Sequence, residues 1–206
     1  MSPRNIKLTK RLRLPHQEYE NYLHEKGFEV VCGLDEVGRG SWAGPLVAGA
    51  VILSRRLYSL RDSKLLNWKK REVLDKKIRK FSKVGIGEVS VEELNILKLT
   101  KATQLAFSRA VRNLKSQPDY ILADGFRYIS PTPCRAIIKG DMICSSIAAA
   151  SIVAKVYRDR IMRQLDKEIK GYYFAKHKGY GTKEHQAKLK KLGSSKAHRM
   201  FYKSIK

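Results

Sequence analysis

The chain has 206 residues, 43 of them Lys or Arg against 19 Asp or Glu, for a formal charge of +24. Its 43% hydrophobic content is enough for a packed core and excludes wholesale disorder. Three cysteines without a C-x-x-C pair exclude a disulfide framework and a zinc site, no apolar run reaches the roughly 18 residues of a membrane span or forms a signal peptide, and the basic excess calls for a polyanionic partner, nucleic acid first, in a reduced cytoplasmic setting.

Residues 1–15 are basic, end in Pro15 and read as an arm. "HQEYENYLHEKG" predicts a short helix stopped by Gly27. "FEVVCGL" (28–34) and "PLVAGAVIL" (45–53) predict two strands flanking a glycine-rich turn. "RDSKLLNWKKREVLDKKIRKF" predicts a loop and then a basic amphipathic helix, and "VGIGEV" a weak strand. Ser90 and Glu93 have capping-box spacing and open a helix over 91–115. On it Ile96, Leu99, Ala102, Ala106, Ala110 and Leu114 fall at three- and four-residue intervals, giving one apolar face. "DYILADG" predicts a buried strand ending at Asp124, and "RAIIKGD" another ending at Asp141. A long helix follows from Met142, small and apolar at first, then charged. The tail from Lys183 to Lys206 carries eight basic residues and one acid, Glu184. Strands and helices in this order predict an α/β fold, a mixed sheet with helices on its faces. The expected division is an arm and short helix over 1–27 and a main domain over 28–206, with an extension from about 165.

In this basic chain the acids stand out by position. Asp35 with Glu36, Asp124 and Asp141 all fall at expected strand ends, where α/β sheets gather functional groups. Brought together, four carboxylates repel, and a hard divalent cation such as Mg²⁺ or Mn²⁺ relieves this. One or two such ions can activate water for phosphodiester hydrolysis. Each acid also has a plainer reading: Asp141 as a helix N-cap, Asp124–Gly125 as a turn, Asp35–Glu36 as a solvated turn.

"GLDEVGRGSWAGPLVAGAVIL", "DSK" (62–64), "ILADG", "IIKGDMICSSIAAASIVAKVYRDRIM" and "FAKHKGYGTKEH" together resemble bacterial ribonuclease HII, over about 28–202. The resemblance implies an RNase H-like fold with a C-terminal helical extension. It implies cleavage of RNA in RNA–DNA hybrids and of single ribonucleotides in duplex DNA, on the 5′ side, leaving a 3′-hydroxyl and a 5′-phosphate. It puts the family's acids on Asp35, Glu36, Asp124 and Asp141. Ribonuclease HIII, a relative, carries glutamate at the fourth position and a large N-terminal extension, so Asp141 and the short leader favour HII. Gly38, Arg39 and Gly40 match the element that approaches the 2′-hydroxyl, the group that marks RNA. Tyr180 matches the tyrosine that packs on the neighbouring deoxyribose. Lys64, Lys155 and Arg158 are expected on substrate phosphates, while His177 and His185 are expected in structural or phosphate-contact roles. Ser41–Trp42, Lys98, Met142, Cys144 and Tyr157 depart from the family pattern, with Trp42 beside the reader element.

The reading is a monomeric, cytoplasmic Mg²⁺- or Mn²⁺-dependent endoribonuclease that acts in ribonucleotide removal. Its partners are hybrid and ribonucleotide-containing duplex, with no membrane. The alternative is a basic nucleic-acid-binding protein without activity, which would have no use for acids at three strand ends.

Overall fold

A computed structural model describes residues 15–54, 67–125 and 128–205. Lys64 and the basic arm before Pro15 lie outside these residues. Five strands form one mixed sheet: β1 (Val31–Val37), β2 (Leu46–Leu53), β3 (Ser82–Val89), β4 (Tyr120–Asp124) and β5 (Cys134–Ile137), in the spatial order 3-2-1-4-5. β1 pairs antiparallel with β2 and parallel with β4, and β5 is parallel to β4. The helices are α1 (Glu18–Glu25), α2 (Trp68–Phe81), α3 (Val91–Arg112), α4 (Ser145–Glu168), α5 (Phe174–His177) and α6 (Lys183–Leu192).

Strand alternation sorts the core into two layers. Cys32, Leu34, Leu46, Ala48, Ala50, Ile121 and Ala123 pack under α3 through Ala102, Ala106, Phe107 and Ala110. Val51 on the other face meets Leu74 and Ile78 of α2 and Ala149, Ile152 and Val153 of α4. The helices lie unusually close because glycines face them. A Cβ on Gly33 would stand 2.2 Å from the Ser146 carbonyl carbon, and one on Gly49 2.4 Å from the Ala150 oxygen. Gly87 does the same for α3, at 1.9 Å from the Ala106 oxygen. The "weak" strand is therefore a full β3, and its glycines are sites of helix contact rather than of weakness.

The capping box forms: Ser90 Oγ accepts from the Glu93 N–H and Glu93 reaches back to the Ser90 N–H. The helix it opens is interrupted at Lys98, whose φ of 60° and ψ of 178° are not helical. The interruption puts Ile96 out of phase, and it is 79% exposed instead of buried as its spacing predicts. Two other expectations shift. β1 begins at Val31, so Asp35 and Glu36 lie inside the strand rather than in a turn after it. β5 stops at Ile137, and Asp141 sits in a 3₁₀ turn, Gly140–Met142, entered through Lys139 in the left-handed region (φ 56°). Asp141 is not an N-cap either, since α4 starts at Ser145 with Cys144 before it.

Past α4 the chain folds around Phe174, which packs with Ala43, Met162, Tyr172 and Ala197. Three histidines surround it: His177 and His185 stack 4.4 Å apart, and His185 Nε2 lies 3.1 Å from His198 Nε2. Backbone partners set every tautomer. His177 Nε2 faces the Tyr172 carbonyl and its Nδ1 accepts from the Gly179 N–H. His185 Nδ1 faces the Tyr180 carbonyl, so its Nε2 accepts from His198, whose Nδ1 in turn accepts from the Ser195 N–H. An added proton on His185 or His198 would meet a donor. Burial lowers both His185 and His198, the latter from the ordinary 6.5 to about 4, with His185 the next cause.

A depressed histidine binds its proton more readily in the unfolded chain. The stabilisation is therefore whole above pH about 6.5 and is lost as pH falls toward 4. Chemical unfolding followed between pH 7.5 and 4.5 will lose on the order of 2–3 kcal/mol through His198. His198→Gln will flatten that slope; an unchanged slope would contradict the tautomer chain.

Candidate active site

The register Leu34↔Ala123 sets Asp35 beside Asp124 at the carboxyl ends of two parallel strands. Both follow residues of the α3 face, so alternation turns both toward α4. Asp35 is 7% exposed and Asp141 2%, while Glu36 and Asp124 are half-buried. Asp124 Oδ1 accepts from the Gly140 N–H at 2.6 Å, which ties β4 to the turn carrying Asp141. Asp35 Oδ1 accepts from the Glu36 N–H at 2.8 Å. Burial raises the Asp35 carboxyl well above the ordinary range, and the charges of Glu36, Asp124 and Asp141 raise it further, against a hydrogen bond with Ser151 of α4. The fold thus brings all four sequence-predicted acids into one electrostatic cluster.

Among the described residues no three acidic, histidine or cysteine side chains stand at metal-ligand spacing. The donor set nonetheless suits a hard cation. It is all oxygen and mutually repelled, and Mg²⁺ keeps most of its waters, taking only one or two carboxylates directly. A closed cage is what calcium or structural zinc would need.

The glycine-rich loop runs beside this cluster. Gly38 takes φ 87°, and a Cβ there would stand 2.2 Å from Arg158 Nε. Gly40 faces open space. Arg39 Nη1 stands 3.9 Å from Glu36 Oε1, with its side chain 41% exposed. The loop is held from below by two fully buried arginines. Arg158 donates to the carbonyls of Pro45, Lys178 and Ala43 at 2.9, 2.9 and 3.0 Å. Arg199 donates to Gly44, Arg39 and Pro45 at 2.9, 3.2 and 3.1 Å. Tyr202 adds its hydroxyl to the Arg39 carbonyl at 2.9 Å. Desolvation lowers both arginines, Arg199 to about 10.

Arg158 is therefore corrected: its forked donors are spent on backbone carbonyls and do not face a phosphate. Lys155 is half-buried and paired with Asp159 at 2.6 Å. Tyr180 is 38% exposed, with its ring centre 5.8 Å from the Arg158 guanidinium. One side chain thus lies between the glycine loop and the tyrosine. Trp42 packs its ring on Gly181, where a Cβ would be 2.5 Å away, and its backbone N–H donates to the Gly179 carbonyl at 2.8 Å. His177 and His185 are committed to backbone and ring partners, consistent with structural roles. Ser151, Arg199 and Tyr202 carried no sequence signal, since their importance comes only from what lies opposite them. Nearby, a pocket of about 760 Å³ is lined by Asn67, Trp68, Arg71, Arg163 and Lys178, with Asp159 as its acid. Burial lowers Lys178, and the charges of Lys155, Arg163 and Arg158 lower it further, against Asp159.

The family model for Ribonuclease HII matches residues 32–205. Ribonuclease HII of Dehalococcoides mccartyi is 45% identical over 93% of this chain and 94% of its own length. That of Chlamydia caviae is 43% identical over 91% of each. Among solved structures, the chain is similar to one from the PCNA:RNase HII complex of Archaeoglobus fulgidus, with a TM-score of 0.75, 26% identity, and coverage of 85% of this chain and 96% of that one.

Two results follow from the charges. The folded state holds the Asp35 proton more tightly than the unfolded state does, so stability falls as pH rises above the ordinary carboxylate range. In metal-free buffer at pH 7.5, Asp35→Asn will raise the melting temperature by at least about 2 °C, the effect of about 1 kcal/mol in a domain of this size; a lower value would deny the repulsion. Arg158→Lys strands carbonyls that a single ammonium cannot satisfy, and will cost about 2–4 kcal/mol in urea unfolding.

Proposed function

The chain belongs to the ribonuclease HII family, a type II ribonuclease H, and from that premise we propose that it cleaves RNA in RNA–DNA hybrids and single ribonucleotides in duplex DNA. The cut falls on the 5′ side of the ribonucleotide and leaves a 3′-hydroxyl and a 5′-phosphate, a reaction that serves ribonucleotide removal. The observation that carries this reading is the juxtaposition of a repelled acid cluster with a loop whose glycines are held open.

Asp35, Glu36, Asp124 and Asp141 would hold one or two Mg²⁺ or Mn²⁺ ions. Bound there, a divalent ion supplies Lewis acidity, lowering the pKa of water and neutralising charge on the leaving oxygen. The protein's own part is placement. Asp35 and Asp124 are set by strand register, and Asp124 is oriented by the Gly140 N–H. Gly40, with open space where a Cβ would stand, lets the loop approach a ribose closely. Gly38, Arg39 and Gly40 contact the 2′-hydroxyl, and Tyr180 packs on the adjoining deoxyribose, where a second 2′-hydroxyl would clash. The ring stays at that spot because Arg158 supports both it and Gly38.

The basic exterior holds the backbone. Lys155 and the Arg71–Arg163–Lys178 pocket suit duplex phosphates, and Lys64 takes the same role by its motif. Arg158 has no such role; it positions the reader. We take the working unit to be a cytoplasmic monomer. No described helix is long and apolar enough to cross a membrane.

An end-labelled DNA duplex with one ribonucleotide tests the reading, with Mg²⁺, with Mn²⁺ and with chelator. The expected product is a single metal-dependent cut 5′ of the ribonucleotide. Asp124→Asn will lower the rate by a factor of about 10³ or more while binding persists, since it removes charge from the metal site. Cutting only within long hybrids would withdraw the roles of Arg39 and Tyr180. Binding without cutting under either metal would favour a non-enzymatic binder.

A further inference from the structure

The matched family region starts at residue 32, yet the segment before it reaches the turn that carries the fourth acid. Glu20 of α1 is 4% exposed. Its Oε1 accepts from both the N–H and the hydroxyl of Ser146, at 2.8 and 2.6 Å. Ser146 lies in the first turn of α4, where N–H groups have no partner inside the helix. No residue of α4's own N-cap supplies one, since Cys144 makes no side-chain cap. Glu20 is thus a cap delivered from 126 residues away.

His16 closes the same place from the other side. Its N–H donates to the Ile143 carbonyl at 2.9 Å, and its carbonyl accepts from the Ser145 N–H at 3.0 Å. Leu23 of α1 packs with Ile137, Cys144 and Ile147, on both sides of the turn. Within the turn, the Cys144 N–H donates to the Gly140 carbonyl at 2.7 Å, and the Gly140 N–H donates to Asp124. Glu20 therefore holds Ser146, two residues along the chain from Cys144, and hydrogen bonds lead on from Cys144 to Gly140 and from Gly140 to Asp124, across the turn that carries Asp141.

We propose that Glu20 is a positioning residue for the metal site: by capping α4 it fixes the 140–146 turn and so the separation of Asp141 from Asp124. The segment 16–27 then belongs with the catalytic unit, not with the basic arm. The inference rests on the reading of Asp124 and Asp141 as ligands. A simple packing residue would stabilise the fold without tuning the acids. A cap on the ligand-bearing turn does both.

Glu20→Gln is the informative conservative change. Burial raises the Glu20 carboxyl, and its Oε2 is buried without a hydrogen-bond partner among the described residues. Glutamine keeps the size of the side chain and an oxygen for Ser146. The experiment is Mn²⁺ binding by calorimetry on the full chain, well below the melting temperature of each variant, with the Mg²⁺ dependence of cleavage beside it. Asp141→Asn serves as the ligand control. Glu20→Ala is expected to weaken Mn²⁺ about tenfold, Ser146→Ala about threefold, and Glu20→Gln to stay within about threefold of wild type, in line with the cost of losing outer-shell support. If Glu20→Ala does not fold, Ser146→Ala carries the test, because it loses one hydroxyl. Variants that melt lower but bind Mn²⁺ as wild type, while Asp141→Asn binds weakly, would overturn the proposal and leave the site intact. A wild type that does not bind Mn²⁺, or an Asp141→Asn that binds like it, would overturn the site and this inference with it.

Discussion

The close approach of α4 to the sheet is the constraint on which the rest depends. Gly33 and Gly49 leave no side chain between strand and helix, and the residues opposite are Ser146 and Ala150. Removing side chains costs hydrophobic area, so the contact is not the greasiest available. What it gains is proximity. Ser151 reaches Asp35 only because the helix backbone lies on the strand. The same helix then carries Arg158 to the glycine loop and Asp159 and Arg163 to the basic pocket. One long element thus indexes the acid cluster, the glycine loop and the basic pocket against each other.

Charge is arranged by the same logic. The chain has a net +24, yet its buried cluster near the strand ends is acidic. Burial and the repulsion of its acidic neighbours hold the Asp35 carboxyl well above its ordinary range. Elsewhere buried charge is compensated differently. Arg158 and Arg199 sit fully buried, with backbone carbonyls as their hydrogen-bond acceptors. A guanidinium has five donors in a fixed fork and can satisfy several carbonyls at once. Loops expose such carbonyls and need them satisfied. The glycine loop is thereby held by side chains from two distant segments, and hydrogen bonds of His185 and His198 fix their tautomers in the second of these.

Much of this was legible in the primary sequence. Short runs of apolar β-formers marked β1, β2 and β4, Ser90 and Glu93 marked the start of α3, and small residues marked the buried half of α4. These are local signals, set by backbone geometry within a few residues. The acids stood out for a similar reason, as isolated negative charge after apolar runs in a basic chain. Ile96 was misplaced because periodicity assumes an unbroken helix, and Lys98 breaks it. Asp141 was misplaced by one element because a strand pattern does not reveal where a chain turns under a left-handed residue.

The sequence by itself determined which chemistry is present: the four carboxylates, the glycine–arginine–glycine element, the tyrosine between glycines and the basic exterior. The tertiary structure decided which groups act on which. Arg158 became a brace instead of a phosphate ligand because α4 delivers it under Gly38, beyond the reach of solvent. Glu20 and Arg199 bond to Ser146 and Arg39, residues 126 and 160 positions away. Such roles are absent from local sequence because they are relations across sequence distance. Only burial, register and the donors left unpaired by one element can assign them to another.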